Sequence, residues 1–119
     1  MDLFFLQGNP DRGFGLCWGH RPTNDWCCFE VANTGFYILR RIKDNKWRRL
    51  VDWTPTGDVN PDGVPNRLRF VRVQDQMQGY LNVKKVFEIA AEDIPGQHTG
   101  FVLQGELKIL ADYLWVWAP

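Results

Sequence analysis

From Gly13 to Ile42 the chain reads GFGLCWGHRPTNDWCCFEVANTGFYILRRI. Three short segments in it, Gly13–Gly19, Asp25–Ala32 and Gly35–Ile42, are rich in aromatic and β-branched residues. Between them lie Arg21-Pro22-Thr23-Asn24 and Asn33-Thr34-Gly35. Those are turn formers for different reasons: proline presets φ, while asparagine and glycine tolerate positive φ. Segments this short, bounded this often, read as antiparallel strands and not as helices.

The pattern continues outward from that stretch. Asp2–Gln7 is a strand before it, and Gly8-Asn9-Pro10-Asp11 a turn. After it, Lys43-Asp44-Asn45 turns the chain into a strand at Lys46–Trp53. One true loop follows, Thr54–Pro65, punctuated by Pro55, Gly57, Pro61, Gly63 and Pro65. Beyond it come strands at Asn66–Gln74, Met77–Asn82, Lys85–Ile89, Thr99–Gln104 and Leu107–Trp117. The last is the clearest: Leu107, Ile109, Ala111, Tyr113, Trp115 and Trp117 share one face, with Lys108 and Asp112 on the other. In Asn66–Gln74 the apolar phase slips between Phe70 and Val71, the mark of a bulge or of a central strand apolar on both faces. Only Ala90–Pro95 has the makings of a helical turn, which Pro95 ends. About ten short strands at this spacing predict an all-β chain folded as an antiparallel sandwich or barrel.

Composition agrees. In 119 residues there are six Trp, eight Phe and three Tyr beside eleven Gly and seven Pro, a mixture suited to strands and tight turns rather than helical bundles. The length predicts one domain over residues 1–119. Fourteen basic side chains balance fourteen acidic ones, which excludes the basic footprint of a dedicated nucleic-acid binder, with its pI above about 9. An apolar fraction of 45% excludes disorder. No apolar run approaches the roughly 18 residues of a spanning helix, and Met1–Gln7 reads as a first strand, not a signal peptide. Nothing in the chain names its compartment. Cys17, Cys27 and Cys28 have no zinc-ligand spacing. Alternation puts Cys27 and Cys28 on opposite faces, so at most one of them meets Cys17. Buried free thiols are the leading reading; a Cys17 disulfide is the second, and a reactive or metal-binding thiol the last.

These segments resemble the concanavalin A-like lectin/glucanase jelly rolls, in particular the laminin-G-like and laminarinase-like modules. In that group a G-F-G-L-x-W-G strand leads to an x-x-F-E-I strand and a D-G-F-Y hairpin. Gly13–Gly19, Asp25–Val31 and Gly35–Ile38 hold those places here. Asn45-Lys46-Trp47 through Leu50-Val51-Asp52-Trp53 resembles the group's G-x-W-x-x-L-V-x-W hairpin, and Asn66–Arg72 its N-x-L-x-V-x-R strand. Gly79–Asn82, Thr99–Val102 and Leu110–Val116 resemble three later segments in the same order. The resemblance implies an antiparallel jelly-roll-like β-sandwich, with Trp18, Trp47, Trp53 and Trp115 in its core. Two departures accompany it. Only one strand precedes Gly13, short of the group's usual number, which implies a homo-oligomer that completes the sheets. At Asn82-Val83 the group has Asn-Gly, the better type I′ turn.

Glycosidases of this fold class use two carboxylates on one strand face, about 5 Å apart in retaining enzymes. Glu30 has Ala32 and Thr34 where a second carboxylate belongs, and His20 and His98 lack a nucleophile partner; the chain is therefore expected not to be an enzyme. A non-catalytic carbohydrate-binding, lectin-like module is the leading expectation. Sugar rings stack on Trp and Tyr while Asp, Glu and Arg take the hydroxyls, and His20, Asp25, Trp26, Glu30, Tyr37 and Arg40 form the candidate patch, with Trp26 its exposed ring. Six basic residues crowd into Arg40–Arg49; of these, Arg41, Lys43, Lys46, Arg48 and Arg49 are candidates for holding an anion. The alternative class is a protein-interaction module that oligomerises through exposed aromatics or edge strands. No metal or cofactor site is complete: Asp58-Val59-Asn60-Pro61-Asp62 spaces oxygens as calcium loops do, without the closing Glu.

Overall fold

The computed structural model describes residues 2–8, 13–20, 23–60, 64–92, 98–103 and 107–111. Among them lie ten strands and no helix: β1 (Asp2–Gly8), β2 (Gly13–His20), β3 (Asp25–Ala32), β4 (Phe36–Lys43), β5 (Lys46–Pro55), β6 (Asn66–Val73), β7 (Gln76–Leu81), β8 (Lys84–Ala90), β9 (His98–Leu103) and β10 (Leu107–Ala111). Two antiparallel sheets form, ordered β10-β1-β6-β7-β8 and β5-β4-β3-β2-β9. Of the sandwich and the barrel that the strand spacing allows, the fold is the sandwich. The strand before Gly13 is interior to its sheet, flanked by β10 and β6. The far half of the Leu107–Trp117 segment and the second half of Ala90–Pro95 lie outside the described residues, and Ala90 is the last residue of β8.

The core lies between the two sheets. Phe14, Phe29, Val31, Tyr37 and Leu39 of the second sheet meet Leu68, Met77, Leu81 and Phe87 of the first. Phe29 and Phe87 touch edge to face at 5.2 Å between ring centres, and Trp18 stacks on Phe70 at 3.8 Å. The slip between Phe70 and Val71 is no bulge, because β6 pairs with β7 without a break from Leu68 to Val73. It marks an interior strand. The bulges fall on β4–β5, β7–β8 and β1–β10.

Two tight hairpins have positive φ at both central residues, Asp44-Asn45 and Asn82-Val83. Asn82 belongs there, since its side chain ties the turn to the rest of the molecule. Its Oδ1 accepts from the Arg67 amide at 2.7 Å, and its Nδ2 donates to the Asp58 carbonyl at 2.7 Å and to Asn66 Oδ1 at 2.9 Å. Asn66 Oδ1 also accepts from the Asn60 amide at 2.7 Å, so the loop between the sheets is anchored by side-chain amides.

Candidate functional site

With Cys27, Phe29, Val31, Tyr37 and Leu39 in the core, the residues between them project from the other side of the second sheet. Those are Trp26, Cys28 and Glu30 on β3 and Ile38, Arg40 and Ile42 on β4. Opposite the β3 set stand Gly19, Cys17 and Gly15 of β2, with Gly13 opposite Ala32. Gly15 and Gly19 are there because β2 and β3 approach too closely for a side chain: a Cβ at either would collide with the Phe29 or the Asp25 carbonyl. Cys17 and Cys28, directly opposite with Cα atoms 4.2 Å apart, form a disulfide in the middle of this floor. Buried thiols, the leading reading from sequence, apply to Cys27 alone. Burial, and then the charge of Glu92, push the Cys27 thiol well above the usual range, only partly offset by a backbone hydrogen bond at Cys28.

The chemistry of the face centres on Glu30. Its carboxylate is fully buried and takes a bidentate contact from Arg40, Nε to Oε2 at 2.9 Å and Nη2 to Oε1 at 2.8 Å. Register explains the reach: Glu30 pairs with Ile38, so Arg40 is its diagonal neighbour on the same face. The gap above Gly13 is filled from the edge strand. A Cβ at Gly13 would lie 3.1 Å from Trp53 Cη2 and 2.7 Å from Glu30 Oε1, so the Trp53 indole extends back over the sheet and covers the carboxylate. On the other side, the Arg40 guanidinium lies 5.6 Å from the centre of the Trp47 ring, a cation–π distance. Trp47 is 53% exposed.

Of the six residues expected in the patch, Trp26, Glu30 and Arg40 share this face. Trp26 is half-buried between Gly19 and Ile42, so it is not the exposed ring. Tyr37 faces the core, where its hydroxyl donates to the Val86 carbonyl at 2.7 Å. Asp25 cannot accompany Trp26, its neighbour in the same strand, and is instead buried against the Arg41 guanidinium. The His20 side chain lies outside the described residues.

The basic run separates in the same way. Arg41 is 4% exposed and donates to Asp25 and to the carbonyls of Trp26 and Ile42, at 3.2 and 3.0 Å for the last two. It is therefore removed from any anion-binding surface. Arg48 pairs with Glu92 at 2.6 Å and Arg49 with Asp52 at 3.0 Å. Lys43 and Lys46 face each other across the hairpin, both exposed. Every arginine of the run thus has a carboxylate partner, local in sequence for Arg49 and distant for Arg40, Arg41 and Arg48. Among the described residues no three His, Cys, Asp or Glu gather as a metal-ligand set. Asp58 is engaged by the Thr56 hydroxyl at 2.8 Å and faces Lys84 at 3.5 Å, while Asp62 lies outside the described residues.

Sequence reasoning missed Trp47 and Trp53, which the resemblance assigned to the core. A signal existed for Trp47: it stands directly after a turn, and its same-face neighbour in the strand, Arg49, is charged, as beside an outward residue. None existed for Trp53, because register shifts between β4 and β5 reset the alternation before it.

No family model and no curated protein sequence matches the chain. Solved structures do. The carbohydrate-binding module CBM66 from Bacillus subtilis aligns with a TM-score of 0.64 at 12% identity, over 91% of this chain and 70% of that one. Sheep galectin-11, in a complex with glycerol, aligns with a TM-score of 0.61 at 19% identity, over 92% of this chain and 85% of that one. At such identities the likeness establishes the fold alone, a β-sandwich of two antiparallel sheets.

Proposed function

We propose that the protein is a non-catalytic carbohydrate-binding module whose site is the outer face of β3–β5, with Trp47, Arg40 and Glu30 at its centre. The observation that carries this reading is the solvent-exposed Trp47 ring lying against a guanidinium held by a buried carboxylate. An exposed indole is a platform for the apolar face of a sugar, and it costs little entropy to present. Arg40 has five N–H donors; two serve Glu30, and the rest have no partner among the described residues. They supply hydroxyl recognition without a net charge, because Glu30 cancels the guanidinium. A sandwich shared with a carbohydrate-binding module and a galectin supports the same reading. Hydrolysis finds no support in the geometry, since both Glu30 oxygens are engaged by Arg40 and its lateral neighbours on the face are Gly15 and Ile38.

The test is a panel of neutral and acidic polysaccharides read by tryptophan fluorescence, with Trp47→Ala as the control. Binding of a neutral glycan, abolished in Trp47→Ala and unchanged as ionic strength rises, is the expected result. Binding only to acidic glycans, weakening steeply with salt, would move the site to the remaining lysines. The other use for an exposed tryptophan beside an edge strand is contact with a second copy. In that case Trp47→Ala would alter sedimentation and leave the glycan panel blank.

A further inference from the structure

Trp47 and Trp53 both belong to the edge strand β5 and both lie on the outer face of the sheet, at the two ends of the Glu30–Arg40 pair. Trp47 pairs with Ile42 and Thr54 with Tyr37, which places Trp53 beside Ile38. Measured along β4, the two tryptophans are therefore four residues apart, about 13 Å at the rise of a strand. Their positions on the strand are thus separated by more than the length of one sugar ring.

Resting on the carbohydrate reading above, we infer that the ligand is a run of a linear, uncharged chain, two or more sugar units long, laid over the outer face from Trp47, past Arg40, to the Trp53 indole, and not a single terminal sugar. Three features of the face fit a chain. Between the two indoles lies Arg40, whose spare N–H donors point to hydroxyls rather than to a charge its own carboxylate already answers. Beside it on β5, Arg49 is opposite Arg40 in register and is itself neutralised by Asp52. And among the described residues β5 is an edge strand of its sheet, so a chain entering the face from that side crosses no described strand beyond it.

Calorimetry with the whole protein and a series of one to six units from each neutral polysaccharide that binds tests this. Affinity should rise about tenfold or more between one unit and three and then level off, each tenfold step being about 1.4 kcal/mol. Trp53→Ala should abolish that rise, whereas Trp47→Ala should lower the affinity for a single unit as well. Because Trp53 covers Glu30, Trp53→Phe serves as the variant that keeps the packing, and a reduced gain with length is expected of it. A single sugar binding as tightly as a trimer, or an undiminished length dependence in both Trp53 variants, overturns the chain while leaving carbohydrate binding standing. A panel in which nothing binds overturns both.

Discussion

The two sheets carry nearly the same interactions on their outer faces, under very different conditions. On the second sheet Arg40 lies against Trp47 and pairs with Glu30. On the first, Arg69 lies 5.1 Å from the Tyr80 ring, whose hydroxyl donates to Gln78 Oε1 at 2.9 Å, and Lys85 pairs with Glu88 at 2.6 Å. The Glu30 side chain is fully buried and that of Glu88 is 39% exposed. In water an ion pair exchanges hydration for a contact of similar strength. Under Trp53 the carboxylate has no water to return to, so its partner is obligatory. A polar contact on the first sheet decorates the surface; its counterpart on the second builds it.

The largest effect should come from breaking the buried pair. Arg40→Ala leaves Glu30 stranded and should cost about 3–5 kcal/mol in urea unfolding. Replacing Arg69 on the other face should move the midpoint by less than the error of the fit. Next is the covalent tie, which only the second sheet has among the described residues. A bridge across a loop of this size contributes about 3 kcal/mol, so Cys17→Ser/Cys28→Ser, or the reduced protein, should melt correspondingly lower. If reduction leaves the melting temperature unchanged, the second sheet is held by packing alone.

The hairpins sharpen the contrast in the opposite direction. Asp44-Asn45 of the second sheet uses residues that accept positive φ, whereas Asn82-Val83 of the first puts a β-branched side chain at φ 71°, with Val83 94% exposed. Val83→Gly should therefore stabilise the protein by about 1 kcal/mol, read as a rise in melting temperature. Smallest of all is Lys85–Glu88. The side-chain hydrogen bond and charge of Lys85 hold the Glu88 carboxyl below its usual range. A depressed carboxyl contributes above its unfolded pKa and loses that contribution as pH falls through the folded one. With both groups open to solvent, which screens the pair, Glu88→Gln should show nearly the same acid unfolding curve as the parent protein.

Much of this was legible beforehand, and the failures have a common cause. Gly, Pro and Asn act on their own backbone, so turns and strands could be placed from local chemistry; the β2–β5 meander follows that reading closely. Glu30 and Arg40 fall in one patch in the sequence because their strands are adjacent; that both lie outward is a result of the fold. Tyr37 and Asp25 were grouped with them through proximity in sequence, which ignores that alternate residues of a strand face opposite ways. The basic run of Arg40–Arg49 read as a charged surface because its carboxylate partners, Glu30, Asp25, Glu92 and in part Asp52, are recruited by folding.

The sequence by itself determined an all-β chain, its turns and the alternation within each strand, since these depend on neighbours a few bonds apart. Alternation says only that consecutive side chains point to opposite faces. Which face becomes the core was decided by the other sheet packing against Phe29, Val31 and Leu39, and the bulges of β5 then carried Trp53 over Glu30. Burial of that carboxylate, and with it the site, is a property of strands brought together from across the chain.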